Sequence, residues 1–185
     1  MALLLDDLLD VARITQDKLN IKKERVTLAS VVEAAVEAAR PLIERKQHVL
    51  SVMLADPTAL LDGDPTRLSQ VLLNLLTNAA KYTDAGGKIE LRCETEGDMM
   101  RIAVKDNGIG IAAEAMPRIF LMFSQMDKSV TRSEGGLGIG LSLVKGITEL
   151  HGGRVDIASE GPGHASEFML YLPLAGGQPA LAARA

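Results

Sequence analysis

The stretch RLSQVLLNLLTNAAKYT, residues Arg67 to Thr83, is a helix by the spacing of its apolar residues and unusual by the spacing of its polar ones. Leu68, Leu72, Leu75, Leu76 and Ala79 recur every three or four positions and form a stripe that needs burial. Gln70, Asn74, Asn78 and Lys81 recur at the same intervals on the other side. A solvated helix face is usually built from Glu and Lys, and a mid-helix Asn is less favourable than Ala because its side chain competes for backbone hydrogen bonds. Amide oxygens are neutral ligands for a hard cation, and a lysine three residues further on can meet a phosphate. This face is therefore suited to Mg²⁺ and a polyphosphate.

Working outward, Asp62-Gly63-Asp64-Pro65 reads as a turn into this helix, with Pro at its first position. Upstream, VTL from Val26 is a short strand candidate, Ala29 to Arg45 is a helix with Pro41 as a kink point, and HVLSVML from His48 is a strand. Downstream, GKIELRCETEGDMMRIAVKD reads as a hairpin turning at Glu96-Gly97-Asp98. Residues 107–134 form a long turn-rich segment, and a helix from about Leu137 to Leu150 is stopped by Gly152-Gly153. GRVDIAS and SEFMLYLPL give two closing strands. Hairpin-connected strands mixed with helices predict an α+β fold, a two-layer α/β sandwich with a mixed, antiparallel-rich sheet and its helices on one face.

Composition narrows the function. The 185 residues carry a net charge of -4, and no run of Lys and Arg interleaves with aromatics, so there is no footprint for nucleic acid. No apolar stretch approaches the roughly 18 residues of a membrane span. The lone Cys93 cannot form an internal disulfide and reads as a strand residue, which fits a reducing, cytoplasmic setting.

Two further motifs follow the asparagine helix. Asp106-Asn107-Gly108-Ile109-Gly110 ends a strand; its Gly108-x-Gly110-x-x-Ala113 spacing imitates a dinucleotide fingerprint, but a hairpin precedes it where a βαβ unit is required. Asp106 instead offers a carboxylate acceptor to an exocyclic amine, with glycines that let the backbone approach a flat ring. Gly135 to Leu143, GGLGIGLSL, lacks the Lys of a P-loop but leads directly into a helix, whose free N–H groups favour an anion.

In this order, QVLLNLLTNAAKYT, DNGIG, RIFLMFSQ and GGLGIGLSL resemble the N, G1, F and G2 boxes of the catalytic ATP-binding domain of sensor histidine kinases, over roughly Val26 to Leu174. The resemblance implies the fold shared with gyrase and Hsp90, with ATP and Mg²⁺ as ligands. It implies that Asn78 coordinates Mg²⁺, that Asn74 and Lys81 support the phosphates, and that these three form the catalytic set. Tyr82 would pack by the adenine, Asp106 would accept from its amine, and Gly108 and Gly110 would shape the base pocket. Gly136, Gly138, Gly140 and Leu141 would belong to a lid over the phosphates, anchored by Phe120 and Phe123. Ser166 stands where the family often has Ser or Thr near the base.

Related gyrase-like and chaperone-like ATPases carry a Glu one turn before the Mg²⁺-binding Asn, as the base that activates water. Here that position is Asn74, which cannot take a proton, so transfer to a protein acceptor is favoured over hydrolysis. An anti-sigma-factor-like serine kinase shares the boxes, and the resemblance of residues 1–19 to a dimerisation helix disfavours it. Residues 1–22 resemble the second helix of the family's dimerisation and phosphotransfer hairpin, residues 23–174 the catalytic domain, and residues 175–185 a tail or linker. The phospho-accepting His belongs to a helix this sequence does not contain, and His48, His151 and His164 read as structural or solvated. The expectation is a piece of a longer, homodimeric kinase acting on its own or a paired His domain and a response regulator receiver domain. A membrane anchor elsewhere stays open. The GGLGIGLSL and FSQ forms are similar to those of hybrid kinases that continue into a receiver domain.

Overall fold

The computed structural model describes residues 2–16, 18–124 and 138–176. Four helices, α1 (Ala2–Thr15), α2 (Leu28–Arg45), α3 (Pro65–Tyr82) and α4 (Gly140–Leu150), accompany seven strands. These are β1 (Glu24–Thr27), β2 (Val49–Leu54), β3 (Leu60–Gly63), β4 (Lys88–Glu96), β5 (Met99–Asp106), β6 (Arg154–Ser159) and β7 (Ser166–Pro173).

The main sheet runs β2-β4-β5-β7-β6. Only β2 and β4 pair in parallel, which requires a crossover, and α3 lies within it. The remaining pairs are antiparallel. Alternation sets the faces: Ile89, Leu91 and Cys93 of β4, Ile102 and Val104 of β5, and Phe168, Leu170 and Leu172 of β7 are buried under the helices. Leu68, Leu72, Leu75, Leu76 and Ala79 of α3 meet them, as the stripe predicted, with Val71 and Ala80 added. At ~1.5–3 kcal/mol for each large apolar side chain removed from water, this contact is the main source of stability. The opposite sheet face carries charge, with Arg101 paired to Glu167 at 3.0 Å and Arg154 stacked 3.8 Å above the Tyr171 ring.

Asp64 caps α3 by accepting from the Arg67 N–H at 3.1 Å, with Pro65 in the first turn. The Asp62-Gly63 pair belongs to a strand, not the expected turn: β3 pairs antiparallel with β1 in a separate two-stranded sheet. Four residues whose partner lies more than thirty positions upstream leave no periodic signal. The last helix begins at Gly140 rather than Leu137, in keeping with the poor helix propensity of glycine.

Helix α1 docks on α3 and α4. Arg67 forms two hydrogen bonds to the buried Asp10 carboxylate, one of them at 3.0 Å, and Gln70 donates to Asp7 at 3.1 Å. Gly146 of α4 leaves room for Ile14, since a Cβ there would lie 2.8 Å from the Ile14 side chain. No helix among the described residues is long and apolar enough to cross a membrane.

Candidate nucleotide site

The second half of α3 stands beside the ends of β5 and β7. Between them opens a cavity with about 340 Å³ of empty space. Its polar wall is Asn78, Tyr82, Asp106 and Ser166; its apolar wall includes Ile109, Ile111, Ile119, Leu141 and Phe168. A few convergent polar groups in a mostly apolar cleft are what a flat heteroaromatic ligand requires.

Asp106, the last residue of β5, is 5% exposed and lies opposite Ser166 in the ladder. Its Oδ1 accepts from the Gly108 N–H at 2.9 Å. Burial pushes the carboxyl above its ordinary value, and the Gly108 bond opposes this. An acceptor kept in a low-dielectric pocket gains most from a donor that enters with a ligand.

The backbone after Asp106 is fixed from two sides. The Ile109 N–H donates to Tyr82 O at 3.0 Å, tying the loop to the end of α3, and a Cβ at Gly108 would collide with the same carbonyl. Gly110 has φ +70°, and a Cβ there would strike Gly161 O; only glycine fits both demands.

Asn74 lies one turn before Asn78, outside the cavity wall. Its Nδ2 is buried without a partner, and its Oδ1 would lie 3.5 Å from a Cβ built on Gly140. The asparagine thus faces the start of α4, where Ile139 provides no side-chain cap for the first-turn N–H groups. An unpaired amide beside an uncapped helix N-terminus makes a donor-rich corner suited to phosphate oxygens. Lys81 sits half-buried on the last turn of α3, and its carbonyl accepts from Lys46 Nζ at 3.0 Å.

For Mg²⁺, no group of three or more His, Cys, Asp and Glu residues among the described residues could hold the ion alone. One amide oxygen at the cavity rim, Asn78, does fit an ion whose other ligands are phosphates and water.

The two phenylalanines part company. Phe120 packs edge-on against Phe168, ring centroids 6.3 Å apart. Phe123, expected with Phe120 to anchor the lid, is 64% exposed with φ +61°, and its contact with the glycine stretch is through the backbone, its N–H donating to Gly138 O at 3.0 Å. Gly138 and Gly140 are placed; Gly136 and the preceding part of the glycine stretch lie outside the described residues. Of the apolar wall, the sequence reading includes Leu141 but not Ile109, Ile111, Ile119 or Phe168. Ile109 and Ile111 interleave with the motif glycines, and Phe168 is two residues from Ser166 on the same strand face, so period two alone would have found them.

Two of the three histidines are buried and bonded to backbone groups, although His48 Nδ1 has no partner. His151 Nδ1 lies 2.8 Å from Ile147 O and Nε2 accepts from the Asp64 N–H at 3.0 Å, which fixes the neutral Nδ1–H tautomer. Burial lowers its pKa in agreement. His48 is buried, with Nε2 3.0 Å from Ala80 O, and exposed His164 lies 3.7 Å from Glu160. Cys93 is buried and its thiol is pushed up to about 12 by burial, so it is no nucleophile.

A mixed sheet covered on one face by helices, with a cavity where strand ends meet an asparagine-bearing helix, defines an ATP-binding domain of the α+β sandwich type. Residues 63–176 match the family described as histidine kinase-, DNA gyrase B-, and HSP90-like ATPase, and the chain belongs to that family. Among the curated relatives it matches are sensor histidine kinases. The chain is 35% identical over 175 residues to the circadian input-output histidine kinase CikA of Synechococcus elongatus, covering 92% of the chain and 23% of that kinase. It is 36% identical over 176 residues to the sensor histidine kinase RcsC of Salmonella typhimurium, covering 95% of the chain and 18% of that kinase. The chain therefore spans about a fifth of the length of these relatives, and what it shares with them includes the catalytic ATP-binding domain. Among solved structures, full-length ShkA in complex with AMPPNP superposes with a TM-score of 0.81 at 29% identity, over 97% of this chain and 37% of that one. The Acinetobacter baumannii histidine kinase AdeS gives 0.75 at 24% identity, over 94% of this chain and 78% of that one, which establishes a shared fold.

Proposed function

We propose that this domain binds ATP with Mg²⁺ and passes the γ-phosphoryl group to a histidine on a dimerisation helix, as the catalytic part of a two-component sensor kinase. The observation that carries the reading is the juxtaposition of buried Asp106 with Asn78 across one cavity, next to the uncapped start of α4. Asp106 accepts a hydrogen bond from the adenine amine, Tyr82 and the isoleucine wall cover the ring, and Ser166 lies at its edge. Asn74, Lys81 and the first turn of α4 hold the phosphates. Asn78 would hold Mg²⁺, which would supply positive charge against the charge developing on the phosphates.

An imidazole nitrogen of the acceptor attacks the γ-phosphorus as the bond to the β–γ bridging oxygen breaks, and ADP departs. The protein's part is positioning and charge stabilisation. Asn74 cannot serve as a base toward water, so hydrolysis is not promoted. The phosphoryl group would then move to an aspartate of a response regulator. The helix α1, seated on α3 and α4, is read as the neighbouring half of the dimerisation hairpin, and the full-length kinase as a homodimer.

The test is incubation with labelled ATP. The chain alone should stay unlabelled, because His48 and His151 are buried and the exposed His164 lies outside the cavity lining. A supplied hairpin bearing the acceptor histidine should become labelled. Steady phosphate release without an acceptor would overturn the reading in favour of an ATPase.

A further inference from the structure

Asp106 and Ile109 to Ile111 form one wall of the cavity, and a hydroxyl behind that wall bonds to it. Ser159 ends β6 on the helix-covered face, outside the cavity lining. Its Oγ accepts from the Ile111 N–H at 3.0 Å and from the Gly161 N–H at 3.3 Å, and donates to Ala165 O at 3.1 Å. One hydroxyl thus uses both lone pairs and its proton on three backbone groups from two different loops.

The loop it gathers, Glu160 to Ala165, is the surface against which Gly110 is pressed. Gly163 N–H donates to Ile109 O at 2.7 Å, and the Gly161 and His164 carbonyls crowd the position a Cβ on Gly110 would take. Ile109, Gly110 and Ile111 all line the cavity. Their backbone is bonded to α3 at only one point, the Ile109 N–H to Tyr82 O. On the far side it leans on the 160–165 loop, and Ser159 is the one side chain that bonds both.

We propose that Ser159 is a positioning residue for the nucleotide base, holding the Ile109–Ile111 wall at the distance a ring requires. The inference rests on the nucleotide reading of the cavity. Replacing the hydroxyl frees the Gly161 N–H and the Ala165 carbonyl, both on half-buried residues, and the N–H of buried Ile111, which must shift to find another partner. The fold survives and the wall loosens. A loosened base wall weakens ligands that carry the ring and leaves those that carry only phosphates.

Calorimetric titration of the whole chain with Mg-ATP and with Mg-tripolyphosphate separates these effects. Ser159→Ala should raise the Kd for ATP about ten-fold, the scale of one to two lost hydrogen bonds, and leave that for tripolyphosphate within about two-fold. Ser159→Thr, which keeps the hydroxyl, should recover most of the ATP affinity. Amide exchange should show faster exchange at Ile111 and Gly161 in the alanine variant. An unchanged ATP affinity in Ser159→Ala, or an equal loss for both ligands, would overturn the assignment. Failure of the unmodified chain to bind ATP would instead remove the nucleotide reading, and the assignment with it.

Discussion

The two halves of α3 carry the same kind of polar face and put it to opposite uses. In the first half, Arg67 and Gln70 are bonded to Asp10, Asp7 and each other, so their polar groups are answered within the chain. In the second, Asn78 faces an open cavity and the Asn74 amide is buried without a partner. Satisfied polar groups at a buried contact specify a docking geometry; polar groups that line a cavity remain free to bond a ligand. The distinction depends on what stands across from each residue.

The largest expected effect tests the satisfied half. Arg67→Ala leaves the buried Asp10 carboxylate with only Arg13 at 4.0 Å and a long Gln70 bond at 3.4 Å, a penalty of up to ~3 kcal/mol. Because α1 is peripheral, the cheaper response is for it to leave its seat rather than for the domain to unfold. Proteolysis or amide exchange should show α1 released while ATP affinity stays within about two-fold. A comparable loss of ATP affinity would mean that the halves are not independent.

Asn78→Ala addresses the other half. It should lower phosphoryl transfer to a supplied histidine hairpin by about 10²-fold or more, the scale of one lost electrostatic contact in a preorganised site, without shifting the unfolding midpoint. An unchanged transfer rate would take Asn78 out of the metal site. A smaller effect is expected deeper in the cavity. Asp106→Asn swaps a charged acceptor for a neutral amide and should cost about ten-fold in ATP affinity, read by titration. Equal affinity would show that the base is held by shape alone.

This contrast also sets how far the sequence could be read. The apolar stripe of α3, the hairpin around Gly97 and the alternation in β7 are local patterns, and each appears where its period places it. Gln70 was grouped with Asn74, Asn78 and Lys81 because all four share a spacing. Spacing does not say that Asp7 lies opposite one and a cavity opposite another. Likewise β3 looks like a turn because Asp62-Gly63-Asp64-Pro65 has turn chemistry, and only its ladder with Glu24–Thr27 makes it a strand. Ser159 is an ordinary serine until two distant loops converge on it. Motif glycines fared better at Gly110, since a positive φ and a close approach are demands on the residue itself.

Acid should separate the two ends of α3 by the sign of the response, the smallest effect and the sharpest form of the comparison. At the first end, neutral His151 accepts from the Asp64 N–H beside the helix cap, and its folded pKa lies below the ordinary 6.5. The unfolded chain therefore binds the proton more readily, and stability falls as pH drops from about 6.5 toward the lowered folded value, at no more than about 1.4 kcal/mol per pH unit. At the other end, the Asp106 carboxyl has a folded pKa raised above the ordinary 3.8. The folded chain holds that proton more tightly, so this contribution to stability is complete below about 3.8 and is lost as pH rises through the raised value. Nucleotide affinity runs the other way, because the protonated carboxyl no longer presents a charged acceptor. Denaturation midpoints and ATP titrations between pH 7 and pH 4 measure both. His151→Gln should flatten the fall in stability below 6.5 and leave the acid loss of ATP affinity intact; Asp106→Asn should remove the acid loss and leave the fall. If a single substitution abolished both, the two ends of α3 would be one titrating unit.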